Sequence, residues 1–94
     1  MLEPLTPENI AQSFVIVEYS VIPEYMRRGL VDYICKGWPP GDFLKAVLQG
    51  RLKDSVLRAD STNLPLLPTY VRWLMEFAPM HSWGTDANYA GWLK

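Results

Sequence analysis

Cys35 and His81 are the single cysteine and the single histidine of this 94-residue chain, and they stand far apart in it. A structural metal site draws about four ligands, mostly Cys and His, from short spacings. Here a metal would have to be held by carboxylates with no recognised spacing, so neither a metal nor another cofactor is expected. A Ser–His–acid triad would need His81, which lies between Pro79-Met80 and Trp83 with no nucleophile elbow near it, and reads as a surface loop histidine. The six glycines are dispersed and build no phosphate cradle ahead of a helix. Gly41-Asp42-Phe43 does mark a helix start, where free amides attract anions, but Asp42 as the N-cap would occupy those amides itself. Cys35, inside Tyr33-Ile34-Cys35-Lys36, reads as a half-buried thiol kept reduced. No catalytic constellation emerges, and the chain reads as a non-enzyme.

Its binding chemistry is richer. With Lys36 set aside as a helix-end residue, Arg27, Arg28, Lys45, Arg51, Lys53, Arg58 and Arg72 fall between residues 27 and 72, a span whose acids are only Asp32, Asp42, Asp54 and Asp60. If Arg27, Arg28, Arg51 and Arg58 converge beside exposed Tyr or Trp, that face suits a nucleic acid; if each is solvated separately, they form an ordinary helix surface. Trp73 fits the buried stripe of its helix, whereas Trp38 beside Pro39-Pro40, Trp83 before Gly84, and Trp92 lie at element boundaries. Such residues either pin loops onto a core or, left exposed, anchor protein interfaces. Asp60 and Asn63 carry a similar pair of readings, turn chemistry at a helix end or a polar recognition pair. The candidate partner-binding residues are therefore Trp38, Trp83, Arg27, Arg28, Asp60 and Asn63. The nucleic-acid alternative rests on Arg27, Arg28, Arg51 and Arg58.

The elements that must position these residues read as mainly α. Thr6-Pro7 pairs an N-cap with proline at the first helical position and predicts a short turn of helix. Ser13 to Ile22 is a run of β-branched and aromatic residues that favours an extended segment, with one helix from Pro7 to Tyr19 as the competing reading. Pro23 and Glu24 open a helix to Lys36, with Met26, Leu30, Tyr33 and Ile34 as its apolar stripe and Gly37 as its left-handed terminus. Phe43 to Ala59 shows Leu44, Leu48, Leu52 and Val56 at fourfold steps, interrupted by Gly50, which predicts a kink or two short helices meeting there. Asp60-Ser61-Thr62-Asn63 breaks the pattern. A further helix starts near Leu67, buries Tyr70, Trp73, Leu74 and Phe77, and ends at Pro79. A last short one carries Tyr89, Trp92 and Leu93. The expected architecture is a small single-domain helical bundle over residues 1–94, with an extended or short-strand arm at 1–22 and the bundle proper at 23–94.

Composition agrees with a folded chain: 49% hydrophobic, 13% aromatic and a formal net charge of -1 lie far from the highly charged, weakly apolar region of disordered proteins. Near-neutral charge disfavours a dedicated phosphate-backbone binder. No apolar run approaches the ~18 residues of a membrane span, and the first residues lack a signal peptide's basic and apolar regions. The chain thus reads as cytosolic and non-membrane. A homodimer is compatible with this apolar content, since a helical stripe shows its period but not its partner.

Several spaced anchors also form one pattern: Ile22-Pro23-Glu24, Gly37, Pro40-Gly41-Asp42-Phe43-Leu44-Lys45-Ala46-Val47-Leu48, Ala59-Asp60 with Asn63, and Ala78-Pro79 with Trp83-Gly84. From about Ile22 to Leu93 it resembles a family of small bacteriophage and prophage accessory proteins. Members more often carry asparagine then aspartate where this chain has Gly50-Arg51, and the arm through Val21 has no counterpart. The resemblance supplies no catalytic residues. It implies a setting in which small proteins bind and block or redirect a bacterial host protein, including components of CRISPR and other defence systems. The expected function is therefore non-catalytic binding to a host protein in the bacterial cytoplasm, with a nucleic-acid accessory role as the alternative.

Overall fold

Thr6 and Pro7 begin the first helix as their types predict. The Thr6 hydroxyl accepts from the Asn9 amide at 3.2 Å, and Pro7 sits in the first turn, where its missing N–H costs nothing. The computed structural model describes residues 5–94, so residues 1–4 of the expected arm lie outside the described residues. The helices are α1 (Pro7–Ala11), α2 (Glu24–Lys36), α3 (Asp42–Leu48), α4 (Leu52–Arg58), α5 (Leu67–Phe77) and α6 (Asp86–Trp92). Short 3₁₀ turns occupy Gln12–Val15, Leu64–Leu66 and Met80–Ser82, and there is no strand among the described residues. None of the described helices is long and apolar enough to cross a membrane.

The stretch 13–22, read as extended, is instead a 3₁₀ turn through Val15 followed by further turns. With no strand beside it to pair with, its backbone closes locally: the Ser13 hydroxyl donates to the Ile10 carbonyl at 2.6 Å, and the Tyr19 and Ser20 amides donate back to Ile16. Its apolar residues divide accordingly. Phe14, Tyr19 and Ile22 turn inward, while Val15, Ile16, Val17 and Val21 stay exposed.

One core joins the helices, with Trp73, Tyr33, Tyr70, Leu30, Ile34, Leu48 and Leu74 essentially inaccessible. Trp73 stacks on Phe14 with ring centres 5.5 Å apart, and its indole N–H donates to the Ser13 hydroxyl at 2.7 Å, so the largest core side chain leaves no polar atom unpaired. Tyr33 stacks on Tyr89 at 5.4 Å and donates to the Ser82 carbonyl at 2.7 Å, which fastens the C-terminal segment to α2. The Trp92 indole adds a bond to the Tyr33 carbonyl. The Cα radius of gyration of 12.2 Å is that of a compact globule, about 13 Å being usual for 100 residues.

One expectation needs correction at α3 and α4, and another is met. Asp42 is not an N-cap: Gly41 takes that position, and the Asp42 carboxylate pairs with Arg58 at 3.3 Å. The two short helices expected to meet at Gly50 are present, and the Leu44-Leu48-Leu52-Val56 spacing divides between them. Leu44 and Leu48 are buried, but Leu52 is 75% exposed and Val56 43%. The cause is Gly50, whose φ of +72° ends α3 and turns the chain before α4 begins. The elbow is held from outside, because the Gly84 amide donates to the Leu48 carbonyl at 2.7 Å and the Gly84 carbonyl lies where a side chain at Gly50 would project.

Candidate protein-binding surfaces

On α2, Tyr25, Arg28, Asp32 and Lys36 recur at three- and four-residue steps and so share one face. Arg28 and Lys36 both pair with Asp32 at 3.5 Å, and the Lys36 ammonium lies 4.4 Å from the centre of the Trp38 ring. The face therefore ends in two exposed aromatics, Tyr25 at 63% and Trp38 at 51%, one near each end of the helix, which rises about 17 Å from residue 25 to residue 36. Asp32 is only 19% exposed, but Arg28 and Lys36 reach it from the surface at 3.5 Å, and surface pairs of this kind contribute about 0–1 kcal/mol. Tyr25 donates to the Asp60 carboxylate at 2.9 Å. The Asn63 amide and that hydroxyl hold the Asp60 carboxyl below its ordinary range, which keeps it anionic.

The structure thus brings Arg28, Trp38 and, through Tyr25, Asp60 to one side of α2. It sets the other candidates elsewhere. Arg27 is tied to the chain itself: its guanidinium donates to the Ile22 and Ser20 carbonyls at 2.9 Å each and stacks over Phe14. Asn63 is buried, donating to the Tyr25 hydroxyl and accepting from Tyr70, so its side chain is spent inside the protein, while its backbone amide donates to Asp60 in the turn. Trp83 is half-buried in a separate groove, its carbonyl accepting from the Asn88 side chain.

The arginines of the nucleic-acid alternative fall into two hollows. Arg27 and Arg28 line one with Glu24 and Asp32; Arg51 and Arg58 line another with Asp42 and Asp54. Arg51 grips Asp86 in a bidentate pair, Nε to Oδ1 at 3.0 Å and Nη2 to Oδ2 at 2.6 Å, and holds that carboxyl below its ordinary range. A phosphate would have to displace carboxylates from both Arg51 and Arg58.

Between α4 and α5 lies an apolar groove of about 470 Å³. Leu52 and Ser55 form one wall, Leu67, Pro68 and Val71 the other, Trp83 closes it, and Arg72 is its one charged residue. Val56 continues the α4 rim one turn on, and Met75, 71% exposed, continues that of α5. Apart from Trp83, these groove residues, and Tyr25, were not among the sequence candidates. The signal was present in α5: Tyr70, Trp73, Leu74 and Phe77 make its inner stripe, and Leu67, Val71 and Met75 repeat every fourth residue as a second one. A helix apolar on two sides has two things to cover.

Cys35 and the exposed His81 line a common hollow, but burial pushes the Cys35 thiol up, away from the thiolate an activated nucleophile needs. His81 packs edge-on against Trp92 at 5.3 Å. Among the described residues, no three of His, Cys, Asp and Glu gather as ligands of one ion. No protein-family model, curated protein or solved structure matches the chain.

Proposed function

We propose that this chain works by non-catalytic binding to a bacterial host protein, in the manner of phage accessory proteins that block defence systems such as CRISPR. The observation that carries the reading is the α2 face, where Tyr25 and Trp38 stand exposed at the two ends of the Arg28–Asp32–Lys36 ladder. Exposed aromatics beside arginine are the usual anchors of protein interfaces, and flexible surface ion pairs form a rim that re-pairs with a partner's charges. The phage setting rests on the sequence pattern from Ile22 to Leu93.

The test is affinity purification of the tagged full chain from bacterial lysate, with and without nuclease, alongside Trp38→Ala and Arg28→Ala variants. One near-stoichiometric host protein is expected, retained after nuclease and weakened by about tenfold or more in Trp38→Ala. Material that disappears with nuclease would instead establish the nucleic-acid reading. Capture unchanged in both variants would remove the α2 face from the account.

A further inference from the structure

We infer that the hollow between the start of α2, the start of α3 and the turn after α4 is a binding site for a guanidinium cation, an arginine side chain of the partner protein in the proposed complex. The source of that side chain rests on the α2 reading, because Tyr25 belongs both to the hollow and to the α2 face. The hollow measures about 320 Å³, at the small end of the roughly 300–1,000 Å³ of ligand pockets, and so admits one long side chain but no large ligand. Its floor is apolar, made by Met26, Phe43 and Leu44, and suits the methylene stem of such a side chain. Gly29 and Gly41 add no side chain to it, and at Gly41 a Cβ would meet no atom within 4 Å.

Charge decides the class of occupant. The hollow holds two carboxylates, Asp42 and Asp60, against one cation, Arg58. Arg58 turns to Asp42 at 3.3 Å, and among the described residues no Lys or Arg pairs with Asp60. A negative charge is therefore left without a counter-ion at the wall of an open cavity. Its carboxylate is fixed in place, Oδ1 accepting from the Asn63 amide at 2.8 Å and Oδ2 from the Tyr25 hydroxyl at 2.9 Å. Each oxygen keeps a second lone-pair site, so the two together accept the parallel N–H groups of a guanidinium. Tyr25, 63% exposed, stands beside that carboxylate and supplies an aromatic face for the same planar cation. An ammonium fits less well, being a point charge with no plane to stack. A bare divalent ion fits worse, since it wants about six oxygen ligands where a single carboxylate is free.

Titration of the full chain with N-acetyl-argininamide, followed by amide proton and nitrogen chemical shifts, tests the site without the partner. Saturation with a dissociation constant of about 1–10 mM is expected, with shifts centred on Tyr25, Gly29, Gly41 and Asn63. The citrulline analogue has the same shape without the charge and should not bind, and the lysine analogue should bind about threefold more weakly or worse. Asp60→Asn keeps an acceptor for the Asn63 amide, and Gly41→Leu suits the extended backbone there (φ −70°, ψ 176°), so both variants should fold. Each should weaken argininamide binding by about fivefold or more. No saturable shift up to about 100 mM, citrulline or lysine binding as tightly as arginine, or an affinity unchanged in both variants would overturn the site. In the lysate purification the same two variants should lower capture of the host protein by about tenfold. Capture lost in Trp38→Ala but unchanged in Asp60→Asn and Gly41→Leu would overturn the partner's arginine and leave the α2 reading standing. A parent chain that captures no protein would overturn the α2 reading and with it the partner as source, while the titration decides the hollow by itself.

Discussion

Replacing Gly50 by alanine strikes the elbow that turns Leu52 and Val56 outward. At φ +72° a residue with a Cβ is disfavoured by about 1–2 kcal/mol, because the left-handed region brings that carbon against its own backbone. The new methyl also has nowhere to go, since the Gly84 carbonyl occupies its place. Pushing that carbonyl away strains the bond from the Gly84 amide to the Leu48 carbonyl, an interaction of about 0.5–1.5 kcal/mol. Together these give a loss of about 2–3 kcal/mol, or a melting temperature lower by about 10–20 °C in a domain of this size. Thermal unfolding followed by far-ultraviolet circular dichroism reads it directly. Gly91→Ala is the matched control, because Gly91 lies inside α6 with open space where its Cβ would stand. It should gain about 0.5–1 kcal/mol from the stiffer unfolded chain and better helix propensity. A Gly50→Ala protein melting within about 3 °C of the parent would refute the account of the elbow.

Two other outcomes follow from buried polar groups. Asn63→Ala removes the acceptor of the buried Tyr70 hydroxyl and should cost about 1–3 kcal/mol in denaturant unfolding, with Tyr70→Phe in the same background recovering part of the loss. Tyr19, donating to Glu76 and buried, is pushed up to about 12, and burial raises Tyr33 and Tyr70 as well. The unfolded chain loses these protons near pH 10 and the folded chain later, so above that pH the unfolded state binds fewer protons and stability must fall as pH rises. The phenolate absorbance of these three buried tyrosines should therefore appear together with unfolding in an alkaline titration, whereas the exposed Tyr25 can ionise without it.

Much of this fold was legible from local chemistry. Thr6-Pro7, Lys36-Gly37, the polar break at Asp60–Asn63 and the proline after α5 each mark an end whose cause lies within a few residues, and the elements found match them. Reasoning failed where the deciding contact was distant. Gly50 itself announces the break between α3 and α4, but nothing near it announces that Gly84 will pack against it and so set how far Leu52 and Val56 turn outward. Residues 13–22 have strand composition but no strand to pair with, and a distant indole, Trp73, fixes Ser13. At the candidate surfaces, Arg28 and Trp38 were recognisable by type, but only the folded chain distinguishes them from Arg27, which spends its donors on the carbonyls of Ser20 and Ile22.

The four indoles occupy unlike surroundings, which gives the protein a built-in optical readout. Trp73 is sealed in the core against Phe14, while Trp38 is half in water beneath the Lys36 ammonium. Iodide reaches the second and not the first, so quenching of intrinsic fluorescence separates a population reporting the α2 surface from one reporting the interior. A partner settling over α2 would shield the accessible population and leave the blue-shifted core emission unmoved, whereas loosening of the core would shift that emission first. Trp83, half-buried at the end of the groove, would register anything that covers the groove through its own partial accessibility. Binding at either surface and unfolding are thus distinguishable in one unlabelled sample.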